Sequence, residues 1–391
     1  KIMIEHSIEF TIFLIFTSAA IFATVALYAK QAMIVAYILL GLILGPWGVG
    51  LISDPKLISE ISNIGIIFLL YLLGLDLLPQ QLWKMLREAL IVTLVSSIIF
   101  FALGFIVGIF FGYELLKSVL IGAIMMFSST IIGLKLLPTS ILHHKHTGQI
   151  IISVLLIQDL LAIIVLLLLQ GYGKGGNLIL DIASQLLYLP FLIILVYLFE
   201  RFILFKLIVR FEQIHEYIFL LAIAWCLGVA EFANLIGLSH EIGAFIAGVT
   251  LASSPIALFI TERLKPLRDF FLIIFFFSLG AGFNISIVSE IYLPAITLAL
   301  IALIFKPLVF SRLLYFEGEK KNISDESGIR LGQISEFSLL ISVLAVQSGF
   351  VGEHISSLIQ FSVLISFILS SYIIVLKYPT PISSNDLLRR D

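Results

Sequence analysis

The stretch Ile150-Ile-Ile-Ser-Val-Leu-Leu-Ile-Gln-Asp-Leu-Leu-Ala-Ile-Ile-Val-Leu-Leu-Leu-Leu169 is an apolar run of twenty residues with Gln158 and Asp159 at its centre. A helix of this length crosses the hydrocarbon core of a bilayer. Ser153 is the only other polar residue in the run. Because an ionisable group at mid-membrane depth costs at least about 2.5–3.5 kcal/mol, Asp159 indicates an ion or proton pathway. The alternative is a protonated carboxyl group that is hydrogen-bonded inside a helix bundle.

The composition excludes an ordinary soluble globular protein, since 60% of the residues are hydrophobic and 12% are charged. The apolar stretches are as long as helices rather than alternating like barrel strands, so we predict an all-α membrane protein. The region 178–208 could alternatively form one long tilted helix. About thirteen transmembrane helices are expected, near residues 8–29, 32–52, 60–78, 89–112, 115–137, 149–170, 178–200, 215–232, 236–256, 268–284, 291–315, 329–349 and 355–376.

The basic residues between these spans predict the orientation. With the N-terminus outside, 18 of the 23 lysines and arginines fall on the cytoplasmic side, 4 fall outside, and Lys306 lies within a span. We therefore expect an integral protein of a bacterial inner (plasma) membrane with a cytoplasmic C-terminus. His143, His144 and His146 form a cluster on the cytoplasmic side that could bind a metal or sense pH, although a solvated loop is the simpler interpretation.

Other chain-wide features argue against an enzyme. Cys226 is the only cysteine and lies in an apolar span, which excludes a disulfide framework. No nucleophile–base pair, phosphate-binding loop or metal-ligand set is found, so we expect neither a cofactor nor a nucleic-acid partner. The polar tail after Tyr378 is too short for a nucleotide-binding module. Residues 1–391 are therefore predicted to form a single transmembrane transport domain without a soluble regulatory domain.

Two spans have polar or glycine-rich centres that permit a helix to unwind. The fifth contains Ser128-Ser-Thr130, and the twelfth contains Gly332-Gln-Ile-Ser-Glu336. Small polar residues offer the backbone alternative hydrogen bonds, and unwound backbone is tolerated in a membrane where protein or water covers it. The two spans are seven apart, so the second enters the membrane in the opposite direction, as in transporters with inverted repeats. Alternatively, the serine and threonine clusters only hold helices together.

Several motifs, in order along residues 30–376, resemble the membrane domain of monovalent cation:proton antiporters (CPA2), and most of all the Kef-type potassium:proton antiporters. Gln158-Asp159 matches the ion-binding pair of the Kef branch, whereas many sodium:proton members have Asp-Asp. The chain departs from that branch in lacking the usual cytoplasmic nucleotide-binding domain. The other matching motifs are Ala36-Tyr-Ile-Leu-Leu-Gly-Leu-Ile-Leu-Gly-Pro46, Phe68-Leu-Leu-Tyr-Leu-Leu-Gly-Leu-Asp76, Ser128-Ser-Thr130, Gly237-Leu-Ser-His-Glu-Ile-Gly-Ala-Phe-Ile-Ala-Gly248, Lys265-Pro-Leu-Arg-Asp-Phe-Phe271, Phe275-Phe-Phe-Ser-Leu-Gly280 and Gln333-Ile-Ser-Glu-Phe337.

The resemblance implies a sodium:proton antiporter-like fold with inverted repeats and two discontinuous helices. An ion-translocating core would comprise residues 89–170 and 291–376. A dimerising scaffold would comprise residues 1–78 and 215–284, with a linker helix at 178–208. The resemblance also implies a homodimer in the membrane lipid and a rocking or elevator movement of the core. A separate regulatory subunit is one way in which the missing regulation could be supplied.

Asp159 is the candidate site that a cation and a proton share. Burial disfavours the ionised carboxylate, so the two ions can compete for one group. Monovalent cations such as K⁺ and Na⁺ are hard ions that favour oxygen ligands. Ser129 and Thr130, with their backbone carbonyl groups, could supply such oxygens. Gln158 would add a carbonyl oxygen directly or would orient its neighbour.

Two further charges are candidates for ion pairing or gating. Lys306 lies six residues before Arg312 in its span and either snorkels to the interface or pairs with Asp159 when no cation is bound. The family resemblance favours the pair. Glu336 resembles the glutamate of the second broken helix and is predicted to be a half-helix charge partner or a proton-entry group, with a structural role as the alternative.

The predicted function is secondary antiport of a monovalent cation against H⁺, with K⁺ favoured over Na⁺ on the basis of the Gln-Asp pair. A single core carboxylate favours exchange of one proton for one cation. A Na⁺/H⁺ antiporter of the same fold is the nearest alternative. A cation channel and a sodium-coupled solute symporter are alternatives from other classes.

Overall fold

A computed structural model describes residues 8–52, 55–76, 79–136, 146–172, 178–252, 254 and 256–380. Nearly all of these residues are helical, which confirms the predicted all-α class. The α-helices are α1 (Ile8–Tyr28), α2 (Met33–Leu44), α3 (Pro55–Asp76), α4 (Pro79–Phe110), α5 (Leu115–Met125), α6 (Thr130–Lys135), α7 (His146–Tyr172), α8 (Leu178–Phe199), α9 (Phe205–Phe211), α10 (His215–Leu235), α11 (His240–Ala252), α12 (Ala257–Gly282), α13 (Val288–Phe316), α14 (Lys321–Arg330), α15 (Glu336–Gln347) and α16 (Glu353–Lys377).

Long apolar helices make this an integral membrane protein. Six helical stretches in the described residues are long and apolar enough to cross a membrane. Five shorter apolar helices accompany them and include α2, α5, α11 and α15. The six long stretches are Glu9–Tyr28, Ala89–Phe110, His146–Leu166, His215–Leu235, Ile285–Phe316 and Glu353–Lys377.

The described helices pack in two groups. Helices α1, α2, α3, α10, α11 and α12 pack mainly against one another, and so do α4, α5, α7, α13, α14, α15 and α16. Helix α8 contacts α7 in the second group and α11 in the first. Each group therefore combines helices from an early and a late part of the sequence.

Glycines allow close approach within the first group. A Cβ atom on Gly248 of α11 would overlap the carbonyl oxygen of Tyr71 in α3, and a Cβ on Gly280 of α12 would overlap the carbonyl oxygen of Ile38 in α2. Helices can pack backbone against backbone in this way only where the side chain is a hydrogen atom. These contacts hold the first group together through its helix backbones.

The second helix is shorter than the predicted span 32–52. It ends at Leu44, and Gly45 is extended with φ −70° and ψ 179°. The residue before a proline is driven out of the helical region, and Pro46 follows directly. A turn then reverses the chain and closes with Gly50 at φ 72°.

Other boundaries differ at helix starts. Helix α4 begins at Pro79 and α12 at Ala257, ahead of the predicted starts at 89 and 268. Charged residues interrupt the first part of each helix, Lys84 and Arg87 in α4 and Glu262 and Arg263 in α12, so hydropathy alone reports only the apolar parts. Helical structure also continues from α8 through a π-helical segment, Glu200–Leu204, into α9. The alternative of one long helix over 178–208 therefore describes this region better than a span that ends at 200.

The fifth and twelfth predicted spans are each interrupted in the structure. Helix α5 ends at Met125 and α6 begins at Thr130, while α14 ends at Arg330 and α15 begins at Glu336. Each second half has its own N-cap. The Ser129 hydroxyl accepts a hydrogen bond from the N–H of Ile132 at 3.1 Å, and the Ser335 hydroxyl accepts one from the N–H of Phe337 at 3.0 Å. Below, residues 126–129 are called the first break and residues 331–335 the second break.

Candidate cation and proton site

Gln158 holds the first break in place. It is 1% exposed, and its Oε1 accepts a hydrogen bond from the N–H of Ser128 at 2.9 Å. Its Nε2 donates to the carbonyl oxygen of Met126 at 3.0 Å. Since a carboxamide nitrogen only donates and its oxygen only accepts, the two contacts define the side-chain orientation. Oε1 keeps one lone pair, so direct ligation of a cation by Gln158 stays a prediction.

Asp159, the next residue of α7, has surroundings different from those of Gln158. It is 3% exposed, and its Oδ2 is buried without a hydrogen-bond partner in the described part of the chain. Glu336, at 4% exposure, is near enough for its charge to act on Asp159. Two neighbouring buried carboxyl groups disfavour each other's ionisation. A bound proton or cation would supply the partner that Oδ2 lacks.

Lys306 joins the two breaks. Its side chain is fully buried in α13, and its Nζ donates to the carbonyl oxygens of Phe127 at 2.6 Å and of Gln333 at 3.0 Å. A third hydrogen bond reaches the Ser128 hydroxyl at 3.2 Å. The ammonium group also lies 5.2 Å from the centroid of the Phe100 ring, within cation–π range. One buried cation therefore satisfies carbonyl groups that both interrupted helices leave open.

The predicted ion pair between Lys306 and Asp159 is not formed in this structure. An ammonium group has three N–H donors, and all three are directed at oxygens of the two breaks. A role for the Lys306–Asp159 pair in another step of the exchange cycle stays a prediction.

The two predicted hydroxyl ligands have different surroundings. The Ser129 hydroxyl caps α6, and the Ser129 carbonyl accepts a hydrogen bond from Nε2 of Gln333 at 3.2 Å. In contrast, Oγ1 of Thr130 is buried with no hydrogen-bond partner among the described residues. Of these two hydroxyl groups, the Thr130 oxygen is the better placed to accept a cation.

Gln333 is a further residue of the site, and its place in the motif Gln333-Ile-Ser-Glu-Phe337 predicts no role for it. Its Nε2 also donates to the carbonyl oxygen of Arg330 at 3.0 Å, and its Oε1 accepts from the Ser370 hydroxyl at 3.2 Å. With the contact to Ser129, this carboxamide connects both breaks to α16. The available signal was a glutamine three residues before Glu336, within the polar centre at 332–336.

Arg330 is a second residue without a predicted role, because its position in the sequence indicates only a cytoplasmic charge. It is fully buried and forms an ion pair with Glu326 at 3.0 Å. It also donates to the carbonyl oxygens of Leu136 at 3.0 Å and Pro379 at 2.9 Å. The ring of Tyr378 lies 5.7 Å from the guanidinium carbon. Burial, reinforced by the Glu326 carboxylate, raises the pKa of Tyr378 to about 12, so this ring is neutral at physiological pH.

Two cavities lie between the two helix groups, against successive parts of α12: residues 269–276 line the first and residues 275–282 line the second. Helix α6, which contacts α7, counts here with the second group. The first, called the Asp269 cavity, has a volume of about 180 Å³ and lies between α2, α6 and α12. Asp269 there pairs with Arg268 at 2.9 Å. The second, called the Glu353 cavity, has a volume of about 340 Å³ and lies between α3, α12, α15 and α16. Both cavities have walls from both groups.

The predicted histidine cluster is only partly described. His143 and His144 lie outside the described residues. His146 begins α7, and its Nε2 lies 2.7 Å from Oε1 of Glu319 near the surface. Within the described residues, no group of three or more His, Cys, Asp and Glu side chains could hold a metal ion.

The fold belongs to a known class of membrane transporter. The sodium proton antiporter MjNhaP1 from Methanocaldococcus jannaschii, solved at pH 8, superposes with a TM-score of 0.73 over 93% of this chain and 94% of that one, at 17% identity. That likeness establishes an antiporter fold. The family model "Sodium/hydrogen exchanger, transmembrane" matches residues 13–376. The chain belongs to this family, which confirms the resemblance inferred from its motifs.

Proteins that are similar in sequence match most of the chain. K(+) efflux antiporter 6 of Arabidopsis thaliana is 30% identical over 80% of this chain and 54% of its own length. K(+) efflux antiporter 5 of the same plant is 29% identical over 80% and 56%, respectively. The protein named iron transporter MagA, from Paramagnetospirillum magneticum (strain ATCC 700264 / AMB-1), is 25% identical over 88% and 79%. The chain spans about half the length of the two plant relatives.

Proposed function

We propose that this protein is a secondary antiporter that exchanges a monovalent cation, preferably K⁺, for protons at Asp159. The observation that carries the proposal is the buried Oδ2 of Asp159, which has no hydrogen-bond partner among the described residues and lies next to two interrupted helices. An ionised carboxylate is not stable in such a place without a partner. A cation and a proton are alternative partners for the same oxygen, and their competition couples the two fluxes.

The charges around the breaks support exchange of one proton for one cation. Lys306, Asp159 and Glu336 are all buried. With all three ionised, the cluster carries one net negative charge, and a single monovalent cation or a single proton neutralises it. Because a low-dielectric site disfavours net charge, the site would change the side of the membrane that it faces only with one of the two ions bound. Net charge transfer would then be zero in a full cycle.

The cation ligands are proposed to be oxygens of Asp159 and Thr130, with Gln158 as a further ligand through its free lone pair and Ser129 through its backbone. The preference for K⁺ is supported by the K(+) efflux antiporters among the relatives. Na⁺ is the alternative, since both polar ends of Gln158 are already engaged with the first break. Gln158 would in that case influence selectivity only through the shape of the backbone.

The proposed architecture has thirteen membrane-crossing helices in two inverted repeats, with α5–α6 and α14–α15 as the discontinuous ones. The second helix group would be the ion-translocating core, the first group the dimerising scaffold, and α8 the linker. The two cavities between the groups support alternating access, since a relative movement of the groups would open one as it closes the other. We propose a homodimer assembled through the scaffold.

In the membrane, the N-terminus is proposed to face outwards and the C-terminus the cytoplasm of a bacterial cell. Arg263, Lys265 and Arg268 then lie at the cytoplasmic end of α12, as the distribution of positive charge requires. The Asp269 cavity would open to the cytoplasm and the Glu353 cavity to the outside. A separate subunit acting on the cytoplasmic face is a further proposal for regulation.

The decisive experiment measures proton flux in proteoliposomes titrated with K⁺, Na⁺ and Li⁺. We expect cation-driven proton movement from the unmodified protein and at least about a hundredfold less from Asp159→Asn, because the amide cannot exchange a proton for a cation. Glu317→Gln, at an exposed position after α13, is the matched control and should retain full flux. Cation-driven proton movement that persists in Asp159→Asn would refute the mechanism.

The same vesicles separate the rival classes. A cation channel would pass current without any proton gradient, and a solute symporter would need an organic substrate. A K⁺-driven proton flux that is insensitive to membrane voltage supports one-for-one exchange. A flux that reverses with voltage at balanced ion gradients contradicts it.

A further inference from the structure

The Glu353 cavity contains none of the exchange-site residues, and several polar side chains lie in its walls. Its walls include Asn63 of α3 and Ser278 of α12 on one side, and Gln347 of α15 and Gln360 of α16 on the other. Its volume of about 340 Å³ holds several water molecules. Glu353 is the only charged side chain among its described lining residues. The cavity therefore has room for water and carries the formal negative charge of Glu353, and it lies between parts that would move relative to each other.

A directed row of hydrogen bonds leads from this cavity into the protein. Nε2 of Gln360 donates to the Ser356 hydroxyl at 3.1 Å, which donates to the Ser342 hydroxyl at 3.3 Å. Ser342 in turn donates to the carbonyl oxygen of Leu339 at 2.8 Å. Because Nε2 is engaged, Oε1 of Gln360 is left as an acceptor at the cavity wall. Gln360 lies seven residues after Glu353, about 10 Å deeper along the helix.

One face of α15 connects this cavity to the carboxylates of the exchange site. Glu336, Leu340, Val343 and Gln347 are spaced by four, three and four residues, which places them on one helical stripe. Val343 and Gln347 line the cavity. Leu340, 2% exposed, lies between Val343 and Glu336. About two helical turns, with Leu340 between them, therefore separate Val343 at the vestibule from the buried carboxyl group of Glu336.

We infer that Gln360 is the first oxygen ligand of the cation on its route from the outer side to Asp159, and that Leu340 is the barrier it passes. This inference rests on the proposed exchange function. The cation is a hard monovalent ion, held by Oε1 of Gln360 together with the hydroxyl of Ser357, which also lines the cavity. Glu353 at the mouth raises the local cation concentration. Two neutral oxygens bind such an ion weakly enough to release it inwards.

The test uses thiol labelling, which does not depend on transport. Cys226 is fully buried, so Cys226→Ala provides a cysteine-free background. In that background Val343→Cys should react from the outer side with a membrane-impermeant methanethiosulfonate, while Ala345→Cys, at a fully buried position of the same helix, should not. Saturating K⁺ should slow the labelling of Val343→Cys at least about fivefold relative to choline, because an occupied vestibule excludes the reagent.

Gln360 is then changed in the reporter variant. Gln360→Leu should abolish the protection by K⁺, and Gln360→Asn should retain part of it, since the shorter carboxamide keeps the oxygen. Absence of outer-side labelling at Val343→Cys, or protection that survives Gln360→Leu, would overturn the inference. If the unmodified protein shows no K⁺-driven proton flux while the labelling pattern holds, the proposed function fails and the vestibule stands.

Discussion

Asp159 and Gln158 are neighbours in the chain but act on different parts of the molecule. Adjacent residues of a helix point about 100° apart. Gln158 faces the first break and is hydrogen-bonded to its backbone at both ends, whereas Asp159 faces Glu336 and keeps Oδ2 without a hydrogen bond to the described residues. One residue of the pair holds the backbone of the first break, and the other has the buried oxygen that we propose as the ion ligand.

Replacing Gln158 separates a structural role from a ligand role. Gln158→Leu leaves the N–H of Ser128 and the carbonyl of Met126 unpaired, at about 1–3 kcal/mol for each buried group. We expect a lower melting temperature in detergent and slower exchange, with the ratio of apparent K⁺ and Na⁺ affinities changed by less than about twofold. Gln149→Leu, at an exposed position of α7, is the control. A tenfold change in the affinity ratio with unchanged stability would instead identify Gln158 as a cation ligand.

Lys306 provides the second residue-level prediction. Lys306→Met removes three hydrogen bonds and one positive charge from the cluster. Without that charge the buried carboxyl groups hold their protons more strongly, so the pH profile of exchange should shift to alkaline pH by about one unit. Proton flux measured between pH 6 and 9 gives the profile.

A matched substitution distinguishes charge from hydrogen bonding. Lys306→Arg keeps the charge and should leave the profile near its original position while reducing the rate, because a planar guanidinium does not reproduce the ammonium contacts. An unchanged profile in Lys306→Met would show that this charge does not act on the carboxyl groups.

At the scale of elements, the interruptions are set by caps and by a buried anchor. Ser129 and Ser335 start α6 and α15 with side-chain caps. Arg330 binds the carbonyl oxygen of Leu136 just after α6 and that of Pro379 just after α16. Because α6 is only six residues long, or about 9 Å, a contact at its end also positions Thr130 at its start.

Arg330→Gln should therefore weaken both stability and cation binding. Removing one partner of a buried ion pair costs about 3–5 kcal/mol, and here two carbonyl contacts are lost as well. We expect a lower melting temperature in detergent and a higher apparent KM for the cation in the remaining folded protein. Arg312→Gln, at an exposed position near the end of α13, should change neither. A normal melting temperature for Arg330→Gln would exclude the anchor.

At the scale of the whole molecule, the two helix groups meet at both cavities. The Asp269 and Glu353 cavities lie against successive parts of α12, and each has walls from both groups. In the proposed mechanism, the buried site lies between the two cavities in depth. A relative movement of the groups is therefore the simplest way for the site to face each side in turn.

A cross-link between the groups should stop exchange. In the Cys226→Ala background, Asn63→Cys in α3 and Gln347→Cys in α15 line opposite walls of the Glu353 cavity. A bifunctional, reducible thiol reagent should abolish proton flux, and reduction should restore it. Asn63→Cys with Ser278→Cys joins two helices of the first group, so its cross-link should leave flux intact. Full flux in the cross-linked Asn63–Gln347 pair would contradict relative movement.

Local pattern predicted the features that depend on composition and spacing. Apolar runs of membrane length gave the all-α class, and the polar centres at 128–130 and 332–336 coincide with the two breaks. The family was accessible because several motifs occur in order. Hydropathy could not locate the ends of α2, α4 and α12, because it gives no clear signal for a proline turn or for a helix start that contains charged residues.

At the site, burial could be predicted from the sequence, whereas the hydrogen-bond partners could not. The cost of an ionisable group in an apolar helix identified Asp159 and Lys306 without any structure. Their partners could not be identified in that way: the structure directs Lys306 to backbone oxygens and gives roles to Gln333 and Arg330. Burial energy is a property of one residue and its flanking sequence, whereas a hydrogen bond depends on the position of a second helix far away in the chain. The sequence by itself determined which charges are buried, and only the tertiary structure decided what each of them binds.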